Sequence, residues 1–182
     1  MKTFRIGGVH PAENKLSADE PIKVAELPKV AVFPMGQHIG APAVPVVQKG
    51  DKVKVGTLIA KPMEKALSTC IYSSVSGTVL KVDTVVDASG YKKPAVYVTV
   101  EGDEWEEGID RSDKLVTLND KPELTPESII DKIKNTGIVG MGGACFPTHV
   151  KLMPPPQFKP QWVIINAVEC EPYLTSDYRR ML

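Results

Sequence analysis

Three glycines fall within four positions of the run Gly140-Met141-Gly142-Gly143-Ala144-Cys145-Phe146-Pro147-Thr148-His149-Val150-Lys151. Glycine tolerates backbone angles and close approaches that a Cβ forbids. The run is therefore expected to take positive φ and to turn successive N–H groups toward a phosphate or the edge of a heterocycle. Pro147 and Thr148 suit the opening of a short helix, whose N-terminal end favours anions. Lys151 follows one turn later and can bring a positive charge to the same ligand. The run does not fit the dinucleotide fingerprint Gly-x-Gly-x-x-Gly, because the preceding strand, the spacing and the later acidic residue do not match.

A second run, Asn166-Ala167-Val168-Glu169-Cys170-Glu171-Pro172-Tyr173-Leu174-Thr175-Ser176-Asp177, follows the apolar stretch Trp162-Val163-Ile164-Ile165. Residues 162–166 are apolar on both faces and read as a buried strand of a parallel sheet. Such sheets bind ligands beyond the ends of their strands. On that reading Asn166 hydrogen-bonds a heterocycle, and Glu169 and Glu171 accept from ribose hydroxyls or a carboxamide, all facing the crevice of the glycine loop. The alternative is that both glutamates are solvated loop charges and Asn166 caps the strand. The candidate binding set is Gly140, Gly142, Gly143, Ala144, Phe146, Lys151, Asn166, Glu169 and Glu171. Phe146 stacks on a ring or belongs to the core, and His149 is expected on the surface of the short helix.

No metal site is expected. Cys70, Cys145 and Cys170 stand far apart without a Cys-x-x-Cys pair, and His10, His38 and His149 are equally scattered. The cysteines read as reduced thiols.

These runs need a frame. A length of 182 residues suits one domain or two small ones, and 42% apolar with 24% charged residues is a globular composition. Residues 1–28, with Gly7, Gly8, Pro11, Pro21 and Pro28, lack periodicity and read as an extended arm over the next domain. Across residues 29–102, β-type runs at 29–33, 44–47, 53–55, 57–60, 78–82 and 95–100 alternate with turn signals at Gly50-Asp51, Gly56, Gly77 and Ser89-Gly90. This pattern predicts a small all-β barrel or sandwich. The acidic residues 103–123 read as a linker.

A helix then starts with Thr125 as N-cap, Pro126 in the first position and Glu127 at the positive end of the dipole. Ile129, Ile130 and Ile133 share a face, and Gly137 stops it. The last ten residues open another helix. A parallel strand at 162–166 needs neighbours and crossover helices that the sequence does not supply, so residues 124–182 read as the beginning of an α/β domain in a longer protein. The fold class is α+β multidomain, a small all-β domain followed by the start of an α/β domain.

The half Val46-Val47-Gln48-Lys49-Gly50-Asp51-Lys52-Val53 with the half Ser76-Gly77-Thr78-Val79 resembles the barrel-sandwich hybrid of biotinyl and lipoyl carriers. A carrier lysine sits at a hairpin tip, usually between two methionines. Lys65 in Pro62-Met63-Glu64-Lys65-Ala66-Leu67 lacks that setting, so it is expected to stay unmodified and the domain to be a structural or docking module. The pattern Gly-x-Gly-Gly-x-x-Phe-Pro-Thr-x-x-Lys followed by Asn-x-x-Glu-x-Glu-Pro resembles the FMN- and NADH-binding fold of the flavoprotein subunit of respiratory complex I. The whole chain more closely resembles the RnfC family of Rnf electron-transport subunits. The arm Gly7-Gly8-Val9-His10-Pro11 with Glu13-Asn14-Lys15, the loop Gln37-His38-Ile39-Gly40-Ala41-Pro42 and the segment Glu169-Cys170-Glu171-Pro172-Tyr173-Leu174-Thr175 carry that resemblance. Two positions depart from the superfamily: Cys145 stands where glycine is common, and Val168 where the complex I version has an acidic residue.

The resemblance implies FMN and NAD(H) as cofactors. It also implies two [4Fe–4S] clusters in a later part of the parent protein and electron transfer between ferredoxin and NAD coupled to ion transport. The implied partners are the other subunits of an Rnf complex, with ferredoxin reached indirectly, and the implied location is peripheral on the cytoplasmic side of the bacterial inner membrane. The sequence alone is compatible with that location: no apolar run approaches the roughly 20 residues of a membrane span, and no signal peptide opens the chain. Twenty-two basic residues balance twenty-two acidic ones, which gives no footprint for nucleic acid. The competing readings are a non-catalytic carrier or scaffold module and a quinone-linked subunit like NqrA.

Overall fold

The computed structural model describes residues 11–112, 114, 115, 117, 119–166 and 168–181. The Gly7-Gly8-Val9-His10 part of the expected arm lies outside them. The chain forms two compact units, Leu27–Lys159 and Met1–Glu26 with Pro160–Leu182.

The larger unit holds seven strands: β1 (Val30–Pro34), β2 (Val44–Pro45), β3 (Lys52–Val53), β4 (Leu58–Lys61), β5 (Ile71–Tyr72), β6 (Ser76–Val86) and β7 (Lys92–Gly102). All ladders between them are antiparallel, in a four-stranded sheet ordered β1-β7-β6-β3 and a three-stranded sheet ordered β2-β4-β5. Alternation explains the packing. Val96 and Val98 of β7 are fully buried, whereas Tyr97 and Thr99 between and beyond them are not. Phe33, Met35, Val53, Ile59, Ile71 and Val79 complete the core from both sheets.

Every β-type run expected between residues 29 and 102 contains or touches a strand, and β5 is an additional one. The expected run at 53–55 ends early, and Val55 instead bridges to Trp105 in parallel. Two glycines are needed where they stand. Gly50 has φ +96° and makes the turn before β3, with its N–H bonded to the Val79 carbonyl at 2.8 Å. Gly77 sits so close to β7 that a Cβ would lie 2.0 Å from the Thr99 carbonyl oxygen.

The first residues of the acidic stretch are bonded to the β domain. Val55 N–H donates to the Glu104 carbonyl at 2.8 Å, Glu106 N–H donates to the Val55 carbonyl at 3.0 Å, and Lys54 pairs with Glu104 at 2.5 Å. Helix α1 (Pro126–Asn135) begins as expected on the Thr125 cap, whose hydroxyl accepts from Ser128 N–H at 3.2 Å. Ile129, Ile130 and Ile133 are half-buried, and Gly137 follows the helix with φ +72°. A second helix, α2 (Thr148–Lys151), has a single turn.

In the smaller unit the last residues form α3 (Ser176–Met181). The strand expected at 162–166 is absent. Trp162, Val163, Ile164 and Ile165 are 80–89% exposed and pair with no other segment among the described residues. Apolar β-branched composition favours a strand, but a strand exists only where another backbone accepts its ladder. Among the described residues no helix is long and apolar enough to cross a membrane.

The Gly77 contact yields a direct test. Gly77→Ala forces the β6–β7 ladder apart and is expected to cost at least about 2 kcal/mol. Urea denaturation of the variant should show that loss, while Gly142→Ala, whose Cβ meets nothing within 4 Å, should unfold at the wild-type midpoint.

Candidate functional site

The glycine run is built as a hairpin on the larger unit. Gly140 N–H donates to the Phe146 carbonyl at 2.9 Å, Thr148 N–H donates to the Ile138 carbonyl at 3.0 Å, and Val139 bridges Pro147. Residues 141–144 form the turn between these rungs. The turn is tied to the β domain by Ile39 N–H, which donates to the Ala144 carbonyl at 3.2 Å. His38 steadies that neighbour: its Nε2 accepts from Thr69 N–H at 3.3 Å and its Nδ1 faces the Ile39 carbonyl at 3.1 Å. The Tyr72 hydroxyl bonds the Asn135 carbonyl and so fastens the end of α1 to β5.

The expected positive φ is not found at Gly140, Gly142 or Gly143. Cys145 takes it, at +51°. The hairpin reverses direction on ordinary turn angles and needs one left-handed residue only where it rejoins the second rung, which explains why glycine suits position 145. The three glycines serve by lacking side chains. Space beside Gly142 and Gly143 is open, and a Cβ on Gly140 would lie 2.9 Å from Lys151 Nζ. Among the described residues, the N–H groups of Gly142, Gly143 and Ala144 donate to no protein acceptor. Lys151 Nζ also lies 5.9 Å from the centre of the half-buried Phe146 ring.

His149 is not the expected surface residue. It is buried, with an Nδ1 that has no partner among the described residues, because the one-turn helix lays it against the unit. Burial, and secondarily the charge of Lys134, hold its pKa below the usual histidine value. Beside the loop lies a cleft of about 450 Å³ bordered by His38, Thr69, Cys70, Tyr72, Met141 and Cys145. The Thr69 hydroxyl is buried there without a partner among the described residues. Thr69, Cys70 and Tyr72 were not legible as cleft residues, since no local pattern marks a wall formed by a two-residue strand.

Asn166, Glu169 and Glu171 belong to the smaller unit. Asn166 Oδ1 accepts from Val168 N–H at 3.0 Å and closes a local turn. Glu169 reaches forward to α3. Its Oε1 accepts from Asp177 N–H at 2.8 Å and from the Ser176 hydroxyl at 3.4 Å, and its Oε2 faces Tyr178 N–H at 3.5 Å. The Asp177 N–H above all, with lesser help from Tyr178 and the charge of Lys15, holds the Glu169 carboxyl below its ordinary value. The Glu171 carboxylate makes no hydrogen bond among the described residues and is exposed.

The arm shapes this loop. Lys15 Nζ donates to the carbonyls of Glu169, Glu171 and Leu174 at 2.9, 2.7 and 2.6 Å. Asn14 N–H donates to the Pro172 carbonyl at 3.0 Å, and the Ser17 and Thr175 hydroxyls are 2.7 Å apart. Thus Gly140, Gly142, Gly143, Ala144 and Phe146 share one hairpin, Lys151 stands on the helix α2 that follows it, and Asn166, Glu169 and Glu171 share one loop of the other unit.

Comparison with known proteins covers the chain in two parts. Residues 2–104 match the RnfC barrel sandwich hybrid domain, and residues 133–182 match the Nuo51 FMN-binding domain. Over its whole length the chain is 47% identical to the C subunit of the proton-translocating ferredoxin:NAD(+) oxidoreductase complex of Clostridium ljungdahlii, covering 38% of that protein. It is 41% identical, over 98% of its length, to the C subunit of the Na(+)-translocating ferredoxin:NAD(+) oxidoreductase complex of Acetobacterium woodii, covering 39% of it. It is 39% identical over its whole length to the C subunit of the ion-translocating oxidoreductase complex of Rhodobacter capsulatus, covering 34% of it. The chain therefore spans less than two fifths of the length of these curated relatives.

Two tests follow from the loop geometry. A carboxylate with a depressed pKa contributes order at pH above the ordinary glutamate value of 4.5 and loses it as pH falls through its folded value. The amide resonance of Asp177 should therefore shift upon acidification below pH 4.5, and Glu169→Gln should abolish that titration. Cys145→Gly relieves a left-handed strain of about 1–2 kcal/mol, offset in part by the entropy of the unfolded chain. Chemical denaturation should find the variant more stable by about 0.5–1 kcal/mol.

Proposed function

The chain belongs to the RnfC family, and from that premise we propose that it supplies FMN- and NAD(H)-binding loops to a subunit of an ion-translocating complex that passes electrons between ferredoxin and NAD. The observation that carries this reading is the glycine hairpin, where three N–H groups lack a protein acceptor among the described residues and the second rung leads directly into α2, which carries the Lys151 ammonium. That donor set suits a phosphate or a flavin edge. Bound FMN would supply hydride exchange with nicotinamide and one-electron steps onward to iron–sulfur clusters.

The residues of this chain bind and orient. Gly142, Gly143 and Ala144 offer backbone donors, Lys151 adds a positive charge for the same anion, and Gly140 leaves the room that the lysine occupies. Phe146 offers a ring face on which a heterocycle can stack. Glu171 offers both carboxylate oxygens to ribose hydroxyls or a carboxamide, and Asn166 keeps its amide N–H groups for a ring acceptor. Glu169 holds the start of α3, so its contribution passes through the shape of the loop.

The remaining parts of the reading concern the parent protein. Two [4Fe–4S] clusters follow in its later part, its partners are the other subunits of an Rnf complex with ferredoxin reached indirectly, and it lies peripherally on the cytoplasmic side of the bacterial inner membrane. One observation favours a carrier reading instead: Lys65 is exposed with φ +57° in the β4–β5 connection.

Alanine variants decide between them. In the complete subunit, Lys151→Ala, Asn166→Ala and Glu169→Ala should each lower FMN affinity roughly ten- to hundredfold, while Lys65→Ala leaves FMN content and NADH-dependent dye reduction unchanged. The 182-residue chain alone should bind FMN weakly or not at all. If the first three variants behave as wild type and Lys65→Ala is inactive, the carrier reading replaces the flavin reading.

A further inference from the structure

An ammonium group has three donors and no acceptor. In Lys15 all three directions end on backbone carbonyls, those of Glu169, Glu171 and Leu174, at 2.9, 2.7 and 2.6 Å. Carbonyl oxygens turned toward one point repel one another, and a positive charge at that point makes the arrangement favourable. The contact is long-range, since 154 to 159 residues separate Lys15 from its acceptors in sequence. Its neighbours hold the intervening positions: Asn14 N–H on the Pro172 carbonyl at 3.0 Å, Asn14 Nδ2 beside the Tyr173 hydroxyl at 3.4 Å, and Ser17 beside Thr175 at 2.7 Å. Nothing regular replaces these bonds. The described residues of 166–175 contain no helix or strand, and Leu174 N–H to the Glu171 carbonyl at 3.2 Å is a single turn contact within them.

We infer that Lys15 is a positioning residue: its ammonium gathers the carbonyls of Glu169, Glu171 and Leu174 and so sets the shape in which the acidic loop, braced on α3 by the Glu169 carboxylate, presents Asn166 and Glu171 to a flavin or nucleotide. The inference rests on the assignment of that loop to FMN and NAD(H) binding. Two of the three gathered carbonyls belong to the glutamates themselves. Lys15 therefore fixes the backbone from which both carboxylates project, one toward α3 and the other outward. It gives the irregular opening of the chain a task that does not require the arm to touch a ligand.

The test compares Lys15→Met, Lys15→Arg and Lys151→Ala in the complete subunit, by amide hydrogen exchange and by FMN titration. Lys15→Met should speed exchange of residues 169–178 and weaken FMN binding, each about tenfold or more, with the unfolding midpoint of the β domain unchanged. Lys15→Arg keeps the charge and should hold both quantities within about threefold of wild type. Unchanged exchange in Lys15→Met overturns the clamp, as does a lowered unfolding midpoint of the β domain, which would mark a general stability role. Faster exchange with unchanged FMN affinity, while Lys151→Ala weakens binding, overturns the positioning role and leaves the glycine-hairpin reading standing. If Lys151→Ala also leaves FMN affinity unchanged, the flavin assignment itself fails and the inference falls with it.

Discussion

The β6–β7 ladder sets the terms on which the larger unit is assembled. Its register runs from Ser76 opposite Gly102 to Val86 opposite Lys92, and β1 and β3 attach to its two outer edges. The ladder brings Val79, Val96 and Val98 onto the buried face, and Gly77 lets the two strands meet where any side chain would strike the Thr99 carbonyl. Irregularities at Ser76/Gly77 and Val79/Lys81 adjust which residues face inward on the way out of the core. With few aromatic residues to fill space, this chain relies on valines placed inward by the strand register, and a register slip would turn them to solvent.

The two candidate loops manage their polar groups in opposite ways. The glycine hairpin pairs its rungs and leaves the N–H groups of its turn without acceptors among the described residues, which is costly unless a ligand or water takes them up. The acidic loop instead uses much of its bonding capacity internally: carbonyls on Lys15, the Glu169 carboxylate on α3, and Asn166 on its own turn. The hairpin thus offers donors on a braced frame, while the acidic loop offers chiefly the Glu171 carboxylate and the Asn166 amide on a backbone braced by a distant lysine.

Much of the β domain could be read from the sequence, because valine alternation and turn glycines are local signals. The cap of α1 was legible for the same reason, down to Thr125 and Pro126. Features that depend on partners remote in sequence were not. The apolar residues 162–165 carry every local mark of a strand, yet no described backbone meets them. His149 looked like a surface residue because its burial comes from a docking that no single turn of sequence records. The glycine run announced conformational freedom, and the structure used its lack of side chains while assigning the left-handed angle to Cys145. Lys15 was visible as part of a motif, but its three acceptors lie at the other end of the chain.

The β6–β7 hairpin continues beyond the core. From Thr84 opposite Pro94 to Val86 opposite Lys92 its ladder runs mostly exposed, and it closes on a tight turn in which Asp87 N–H bonds the Tyr91 carbonyl at 3.1 Å and Ser89 N–H bonds the Asp87 carboxylate at 2.9 Å. Ala88, Ser89 and Gly90 at its tip are exposed. Loop tips of this kind accept inserted sequence with little penalty. The hairpin is in effect a mast, on which an epitope or a rigid fiducial domain could be mounted as a marker in images without entering the buried part of the ladder.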